Sequence, residues 1–312
     1  EDGHTLKAWY PSKINTHDFY NVNIRYAPVV KVSLAEPIGL RGVIEQWLDP
    51  IRGIASIATG RSQPLHSLKV RPDGDDGAPW NLAQVFGTAL TQAPFDSTAH
   101  QVDKAGSILR CAADGVSLLD LVRAWWRLKA EQHPLIETYG GMLHARDSHP
   151  RSRFLLLIQS LEGMHGHDTR DEFEIRTVQH VAMRTEVLAT LDGHLAPRQK
   201  QFLKRSVSKE PPRSLRAALE AAFDLPDEFT QTRAALEASL LVNRLVAEDD
   251  NLHPLDAIRV ARNGLAHGTR GFDAYDLDQV NEILDRLVRA HALRLLGCPP
   301  AIFGRLAMPP DR

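Results

Sequence analysis

The stretch His253–Gly268, "HPLDAIRVARNGLAHG", decides how this sequence is interpreted. Proline is favoured at the first position of a helix and glycine directly after its last residue, so Pro254 and Gly268 predict a helix between them. At about 100° per residue, five apolar side chains fall within one arc of about 140°. These are Leu255, Ile258, Ala261, Leu265 and Ala266. The helix is therefore expected to bury one face in a protein core.

Arg262 lies inside this apolar arc, flanked by Ile258 and Ala266. A buried guanidinium needs a partner, such as a carboxylate, backbone carbonyls or a phosphate, because burying it alone is costly. Asn263 and His267 lie on the neighbouring face, about 40° apart. Arginine binds phosphate through two N–H donors, and histidine transfers protons near neutral pH. These are the two groups needed to cleave an RNA phosphodiester without a metal ion.

The same residues also allow a purely structural interpretation. Arg262 would then be neutralised by a buried carboxylate, and His267 would be an ordinary cap at the helix C-terminus, where the dipole favours a cation. Glu162, in "QSLEGMH", is a candidate for that carboxylate because it flanks an apolar helical stripe. Paired with Arg262, it would hold the guanidinium in a fixed orientation. The alternative is a glutamate that faces solvent.

The length and composition of the chain favour a soluble protein with two domains. Its 312 residues exceed the size of most single hydrophobic cores. The formal net charge of −2 provides no overall basic field for nucleic acid, so RNA binding would need a local patch. The sequence has no P-loop, no GxGxxG and no nucleophile elbow. No cofactor is therefore expected.

Cysteine usage and the lack of targeting signals favour the cytoplasm. The chain has two cysteines, Cys111 and Cys298, which are too few and too far apart for a disulfide framework. No apolar run reaches the ~18 residues of a membrane helix, and no signal peptide is visible. Because the sequence begins with Glu1 and not with Met, we expect further residues to precede it.

The pattern of apolar and turn-forming residues in positions 1–112 predicts a mixed, β-rich domain. Val22, Ile24 and Tyr26 alternate as in a half-buried strand. Two short strands are expected in "PLHSLKVRP" and "WNLAQVFG", on either side of a loop rich in glycine and aspartate. The segment "GLRGVIEQWLDPIRGIASIATG" has the apolar spacing of a helix, which Pro50 is expected to kink.

Residues 113–312 predict an almost wholly helical domain of six or seven amphipathic helices with short loops. The segments include "RSRFLLLIQSLEGMHG" and "FTQTRAALEASLLVNRLVAE". Adjacent helical residues point about 100° apart, so one of Trp125 and Trp126 is expected in the core and the other at an interface or surface. The predicted fold is α+β, with a β-rich N-terminal domain followed by an all-α bundle.

Other possible ligand-binding patterns are weaker. His165, His167 and His180 lack the usual spacing of metal ligands and are expected to be solvated in a loop. The acidic loop "PDGDDG" does not fit a calcium-binding pattern. No metal is therefore expected. The basic run Arg198–Arg205 is expected to be a solvated helix face, with a patch that attracts RNA as the alternative.

The motif "RNGLAHG" resembles the signature of HEPN domains, in which an arginine and a polar residue precede a histidine on a helix. The chain as a whole is similar to the ApeA-like branch of prokaryotic HEPN proteins, where a β-rich domain precedes the HEPN domain. The similarity extends to "IEQWLDPIRGIASIATG", "RFLLLIQSLEGMH" and "LVRAHALRLLGCP". The N-terminal part is shorter than the family pattern.

This resemblance implies an all-helical HEPN domain that cleaves RNA without a metal ion, with tRNA as one candidate substrate, in anti-phage abortive infection or as a toxin. It implies that Arg262 binds phosphate, that His267 acts as general base or acid, and that Asn263 orients the phosphate or the active conformation. It also implies a homodimer in which the two motif helices meet near a two-fold axis.

Two functions follow as expectations. The first is a metal-independent endoribonuclease, favoured by the set of Arg262, Asn263 and His267. The second is a non-catalytic HEPN module that binds RNA, a nucleotide or a partner protein, mildly favoured by the near-neutral net charge. In either case residues 1–112 are expected to sense or to restrain, because they carry no recognisable catalytic set.

Overall fold

The chain forms two compact units, and each is described by itself. The computed structural model describes residues 3–9, 12–16, 22–26, 29–63, 65–71, 82–87, 108–136, 149–225 and 229–307. The acidic loop "PDGDDG" lies outside these residues. The first unit comprises residues 1–131 and 292–312, and the second comprises residues 132–291.

This grouping of contacts differs from the division at residue 112 that composition suggested. The helix Leu118–Ala130 packs on the helix Asp49–Thr59 and so belongs to the first unit. Residues 300–307 belong to the same unit, although they are helical. Composition separates strand-rich from helical sequence, whereas the contacts join helices from both ends of the chain.

The strands of the first unit form three antiparallel pairs. Strand β1, Thr5–Trp9, pairs with β4, Val29–Ser33. Strand β2, Ser12–Thr16, pairs antiparallel with β3, Val22–Tyr26. Both pairs have the same register, with Thr5 opposite Ser33 and Ser12 opposite Tyr26. The predicted strand with alternating Val22, Ile24 and Tyr26 is thereby confirmed as a strand.

The two short strands expected around the acidic loop are also confirmed. Strand β5, Leu68–Val70, pairs antiparallel with β6, Ala83–Val85. Among the described residues, every strand lies within the first 112 positions, and the rest of the chain is helical. The structure therefore has an α+β composition with its β-structure at the N-terminal end.

The helix expected to kink at Pro50 is interrupted just before that residue. It begins as α1, Leu40–Val43, continues as a π-helical segment, Ile44–Leu48, and resumes as α2, Asp49–Thr59. Proline has no N–H, so an α-helical hydrogen bond to the carbonyl of Gln46 cannot form at Pro50. The indole N–H of Trp126 donates to that carbonyl instead. A side chain from a different helix thus satisfies the acceptor that the proline leaves open.

The two tryptophans of helix α3, Leu118–Ala130, differ in their burial, as expected. Trp125 is buried and packs against α2 at Gly53, where an added Cβ atom would overlap the indole ring. Only glycine permits this close approach of ring and backbone. Trp126 is half-buried, and its ring meets the buried ring of Trp47 edge-on at 4.9 Å.

An ion pair joins the segment before α3 to the C-terminal helix of the first unit, α12, Phe303–Ala307. Arg305 donates to Asp114 at 2.7 Å. Burial acts to raise the pKa of Asp114, but hydrogen bonds from the Arg110 backbone and from Arg305 lower it overall. Burial raises the pKa of Cys298 to about 12, so this thiol is unreactive near neutral pH.

In the second unit, every regular element that the structure describes is a helix. These helices are α4 (Pro150–Asp168), α5 (Arg170–Thr190), α6 (Pro197–Ser206), α7 (Leu215–Ala222), α8 (Thr230–Glu237), α9 (Leu240–Glu248), α10 (Pro254–His267) and α11 (Ala274–Leu295), the last of which ends in the first unit. Helix α10 contacts α4, α7 and α9. The helix with the sequence motif is therefore central to this bundle.

Two predictions about these helices are wrong in detail. The segment "FTQTRAALEASLLVNRLVAE" forms two helices, α8 and α9, because the backbone of Ser239 is extended and begins α9. The chain therefore has more helices than the six or seven expected. His165, His167 and His180 lie on α4 and α5 and not in a loop.

The apolar run in α4 and the basic run in α6 have the environments expected for them. Phe154, Leu157, Ile158 and Leu161 are buried. The basic residues Arg198–Arg205 lie on α6, which has no buried residue. None of the described helices is both long enough and apolar enough to cross a membrane.

Candidate functional site

Both ends of α10 are fixed by the residues that predicted them. His253 precedes the helix, and its Nδ1 accepts a hydrogen bond from the backbone N–H of Leu255 at 3.2 Å. Pro254 occupies the first helical position, where its missing N–H costs nothing. Gly268 ends the helix with a φ of 67°, a left-handed conformation that favours glycine. The predicted helix boundaries are confirmed.

The buried face of α10 is displaced from the predicted arc. Its buried residues are Leu255, Ala257, Ile258, Ala261, Gly264 and Leu265. Ala266 is exposed, so its assignment to the buried arc is wrong. The true face is centred near Ala261, because the neighbouring helices contact that side and buried Ala257 and Gly264 widen it. Arg262 consequently lies at the margin of the buried face and not inside it.

Arg262 forms an ion pair with Glu162 on α4, as the sequence suggested. Its Nη2 donates to both carboxylate oxygens, at 3.0 and 3.3 Å. The arginine side chain is 38% exposed and the glutamate side chain 30% exposed. The pair is therefore neither sealed in the core nor fully solvated. Its main effect is to orient the guanidinium at the edge of the bundle, since partly exposed pairs add little stability.

Asn263 makes a second contact with the same guanidinium. Its side-chain oxygen accepts a hydrogen bond from Nη1 of Arg262 at 3.0 Å. Arginine has five N–H donors. Within the described part of the chain, the contacts to Glu162 and Asn263 leave Nε–H and one Nη1 N–H for a ligand. Asn263 thus acts on Arg262 and retains its own amide N–H groups for a ligand.

His267 stands apart from this cluster. It is the last residue of α10 and is exposed. Five residues separate it from Arg262, so the two side chains leave the helix about 140° apart. Among the described residues, no hydrogen bond or ion pair joins them. The structure therefore brings together Arg262, Asn263 and Glu162, but it does not bring His267 into their contact within one chain.

Arg151 is a cationic neighbour that the sequence did not reveal. It lies in the first turn of α4, and its Nη2 donates to the carbonyl of Leu265 near the C-terminus of α10. A cation at this position interacts favourably with the negative end of the dipole of α10. It also adds positive charge close to His267 along the helix. The contact depends on how α4 docks against α10, so no local pattern could have identified it.

The turn that follows α10 is held by a separate set of contacts. The backbone N–H groups of Thr269 and Arg270 both point to the carbonyl of Gly264. Arg270 binds Glu248 with two hydrogen bonds, at 2.7 and 2.5 Å, and these lower the pKa of Glu248. Its guanidinium also lies over the ring of Phe272. Arg270 is thus a structural cation.

Comparisons with known proteins give no family for the chain: no family model matches it, and no curated protein or solved structure matches it significantly. The resemblance to HEPN domains remains a prediction, and so do the catalytic roles of Arg262, Asn263 and His267. The structure shows their geometry: Glu162 and Asn263 contact the guanidinium of Arg262, and His267 is exposed on the same helix.

Proposed function

We propose that this protein is a metal-independent endoribonuclease of the HEPN type. Arg262 binds the scissile phosphate, His267 transfers a proton as general base or acid, and Asn263 and Glu162 hold the arginine in its orientation. The contact of Arg262 with Glu162 and Asn263 supports this most directly, because it presents a fixed arginine at the surface. A guanidinium held this way supplies charge to a phosphorane-like transition state without having to reorganise.

The chemistry needs no metal ion or cofactor. His267 removes the proton of the ribose 2′-hydroxyl, or it protonates the leaving 5′-oxygen. Arg262 neutralises the phosphate charge as the 2′-oxygen attacks phosphorus and the bond to the 5′-oxygen breaks. The products are a 2′,3′-cyclic phosphate and a 5′-hydroxyl. We place this activity in the cytoplasm, as the cysteine usage suggested. As the resemblance implies, it serves in anti-phage defence or as a toxin, with tRNA as a candidate substrate.

The positions of the two residues also support a homodimer. Arg262 and His267 leave α10 in directions about 140° apart, so one helix does not turn both towards a single phosphate. A second copy, related by a two-fold axis next to α10, would set the arginine of one chain beside the histidine of the other. The composite cleft would then hold the RNA.

A non-catalytic binding module remains the second candidate, and one observation favours it. Glu162 already neutralises Arg262, and within one chain His267 makes no contact with that pair among the described residues. An arginine paired with a carboxylate attracts a phosphate less strongly than a free one. In this alternative the helical bundle binds RNA, a nucleotide or a partner protein without cleaving anything.

Cleavage in the presence of EDTA separates the two candidates. Purified full-length protein is incubated with total RNA and with tRNA, and the ends of the products are mapped. We expect cleavage that survives EDTA and leaves 2′,3′-cyclic phosphate ends. If RNA is bound but no RNA class is cut under any buffer condition, the binding module is the correct function.

A further inference from the structure

Two histidines and an aspartate meet beside the C-terminal end of α4. We propose that His133, His167 and Asp168 bind a divalent transition-metal ion, with Zn²⁺ as the best fit. One ligand atom from each residue lies within 4.8 Å of the other two. Imidazole nitrogens together with a carboxylate oxygen are the ligands that Zn²⁺ binds in proteins. This inference does not depend on the proposed function.

The distances within the cluster are close to those of a coordination shell. Nδ1 of His167 lies 3.6 Å from a carboxylate oxygen of Asp168, and the rings of His133 and His167 have centroids 4.5 Å apart. Ligand atoms at about 2.1 Å from a tetrahedral zinc ion lie roughly 3.4 Å from one another. Small side-chain rotations would therefore bring the three atoms onto one ion.

The burial of the three residues gives the site an anchored side and an open side. His133 is 2% exposed, whereas the side chains of His167 and Asp168 are 22% and 56% exposed. His167 also lines a groove of about 400 Å³ on the same unit. Three protein ligands leave at least one coordination position for water, and an ion can enter from the groove.

The charged residues that line the groove beside the cluster are Arg170, Glu174 and Arg213. The guanidinium of Arg213 lies over the ring of Phe173, 4.4 Å from its centroid. These two arginines lower the local attraction for a divalent cation, so binding depends on the three ligand atoms and on the charge of the Asp168 carboxylate.

One existing contact limits the affinity. Nδ1 of His133 accepts a hydrogen bond from the N–H of Leu135 at 3.3 Å. Coordination through either ring nitrogen breaks this long hydrogen bond, because the ion takes the lone pair of Nδ1 or requires the ring proton to be on Nδ1. We therefore expect a dissociation constant on the order of micromolar, weaker than that of preformed structural zinc sites.

Metal titration of the full chain tests the proposal. The protein is stripped with EDTA, exchanged into metal-free buffer and titrated with Zn²⁺ by calorimetry, and Co²⁺ serves as a visible-absorption probe of the same site. We expect one equivalent of Zn²⁺ per chain. His167→Ala and Asp168→Asn should each weaken binding at least ~10-fold. Asp168 is exposed, so its variant should fold even if His167→Ala does not.

His165→Ala is the matched control, because His165 lies on the same helix but outside the cluster. It should bind Zn²⁺ as tightly as the unmodified chain. The proposal is overturned if the unmodified chain shows no saturable binding at micromolar Zn²⁺. It is equally overturned if both ligand variants bind undiminished, or if His165→Ala loses as much affinity as they do. RNA cleavage in EDTA is measured separately, so failure of one proposal leaves the other open.

Discussion

Arg262 has to satisfy a structural partner and a proposed ligand at the same time. Nη2 of Arg262 donates to both carboxylate oxygens of Glu162, and Nη1 donates to the side-chain oxygen of Asn263. Because the side chain is 38% exposed, a phosphate can approach the remaining donors from solvent. Glu162 partly neutralises the charge of Arg262, which weakens its attraction for a phosphate. The same contact orients the guanidinium before the phosphate binds, so no reorganisation is needed.

Replacing Arg262 by lysine should separate charge from geometry. Arg262→Lys keeps a cation beside Glu162 but loses the planar guanidinium that also contacts Asn263. We expect the free energy of unfolding to change by less than ~1 kcal/mol, since the pair is partly exposed. Cleavage should fall by ~10²-fold or more, as for the loss of one transition-state donor. Denaturant unfolding and a cleavage time course measure the two effects.

Arg259→Lys is the matched control for that substitution. Arg259 lies on the same helix, is exposed and pairs with Asp256 at 3.2 Å, within its own helix. The control should leave both stability and cleavage unchanged. Suppose that both variants lose cleavage equally. The loss would then come from replacing any guanidinium on this helix, and not from the orientation of Arg262.

Among the elements, the contact between α2 and α3 depends on a glycine that no periodicity would single out. A Cβ atom at Gly53 would overlap the ring of Trp125, which is itself buried. Gly53→Ala should therefore destabilise the protein by ~1–3 kcal/mol, the usual range for overpacking. Helix propensity alone would predict a gain of up to ~1 kcal/mol, so the sign of the change in denaturant unfolding decides between the two effects.

Gly42→Ala provides the comparison for Gly53→Ala. Gly42 is also helical, and a methyl group added there would lie 3.5 Å from its nearest neighbouring atom, which is an ordinary contact. This substitution should be neutral or slightly stabilising in denaturant unfolding. If Gly53→Ala stabilises the protein, the ring of Trp125 does not lie against the backbone of α2 at Gly53.

Local signals predicted the helix and strand boundaries well where they involve only neighbouring residues. Pro254 and Gly268 defined α10, and the alternation at Val22 defined a strand. The sequence also suggested Glu162 as the partner of Arg262, because Arg262 was predicted to lie inside one apolar arc and Glu162 to flank another apolar stripe. Each of these predictions depended on periodicity or on a capping preference that acts within a few residues.

The remaining features depend on contacts between distant segments. Arg151 reaches the end of α10 only because α4 docks there, and Trp126 reaches Gln46 across 80 positions of sequence. The exposure of Ala266 follows from which side of α10 its neighbours occupy. His133 joins His167 and Asp168 in the same way. A single sequence does not encode these docking geometries in a local pattern.

The proposed reaction requires two copies of the chain. We predict a homodimer that buries more than ~1,200 Å² through the helical part, with the two α10 helices close to the axis. Light scattering at micromolar concentration should give twice the monomer mass of 34.8 kDa. A monomer mass under these conditions contradicts the composite site.

Two surface variants locate the interface. Ala266 is exposed on α10, so Ala266→Arg should disrupt the dimer if α10 lies near the axis. Ile175 is 62% exposed on α5, within an apolar group that also includes Val178 and Met183. Ile175→Asp should leave the dimer intact. If Ile175→Asp dissociates the dimer and Ala266→Arg does not, the copies associate through α5, and the composite site is wrong.

The proposed reaction depends on proton transfer by His267, and one substitution removes that group. His267→Ala is compared with His194→Ala, another exposed histidine in the second unit, in an EDTA-containing RNA cleavage assay. We expect His267→Ala to lower cleavage by ~10²–10⁴-fold, the usual contribution of a general acid or base, with unchanged folding and association. We expect no loss for His194→Ala. Full activity of a folded, dimeric His267→Ala protein would rule out His267 as the general acid or base.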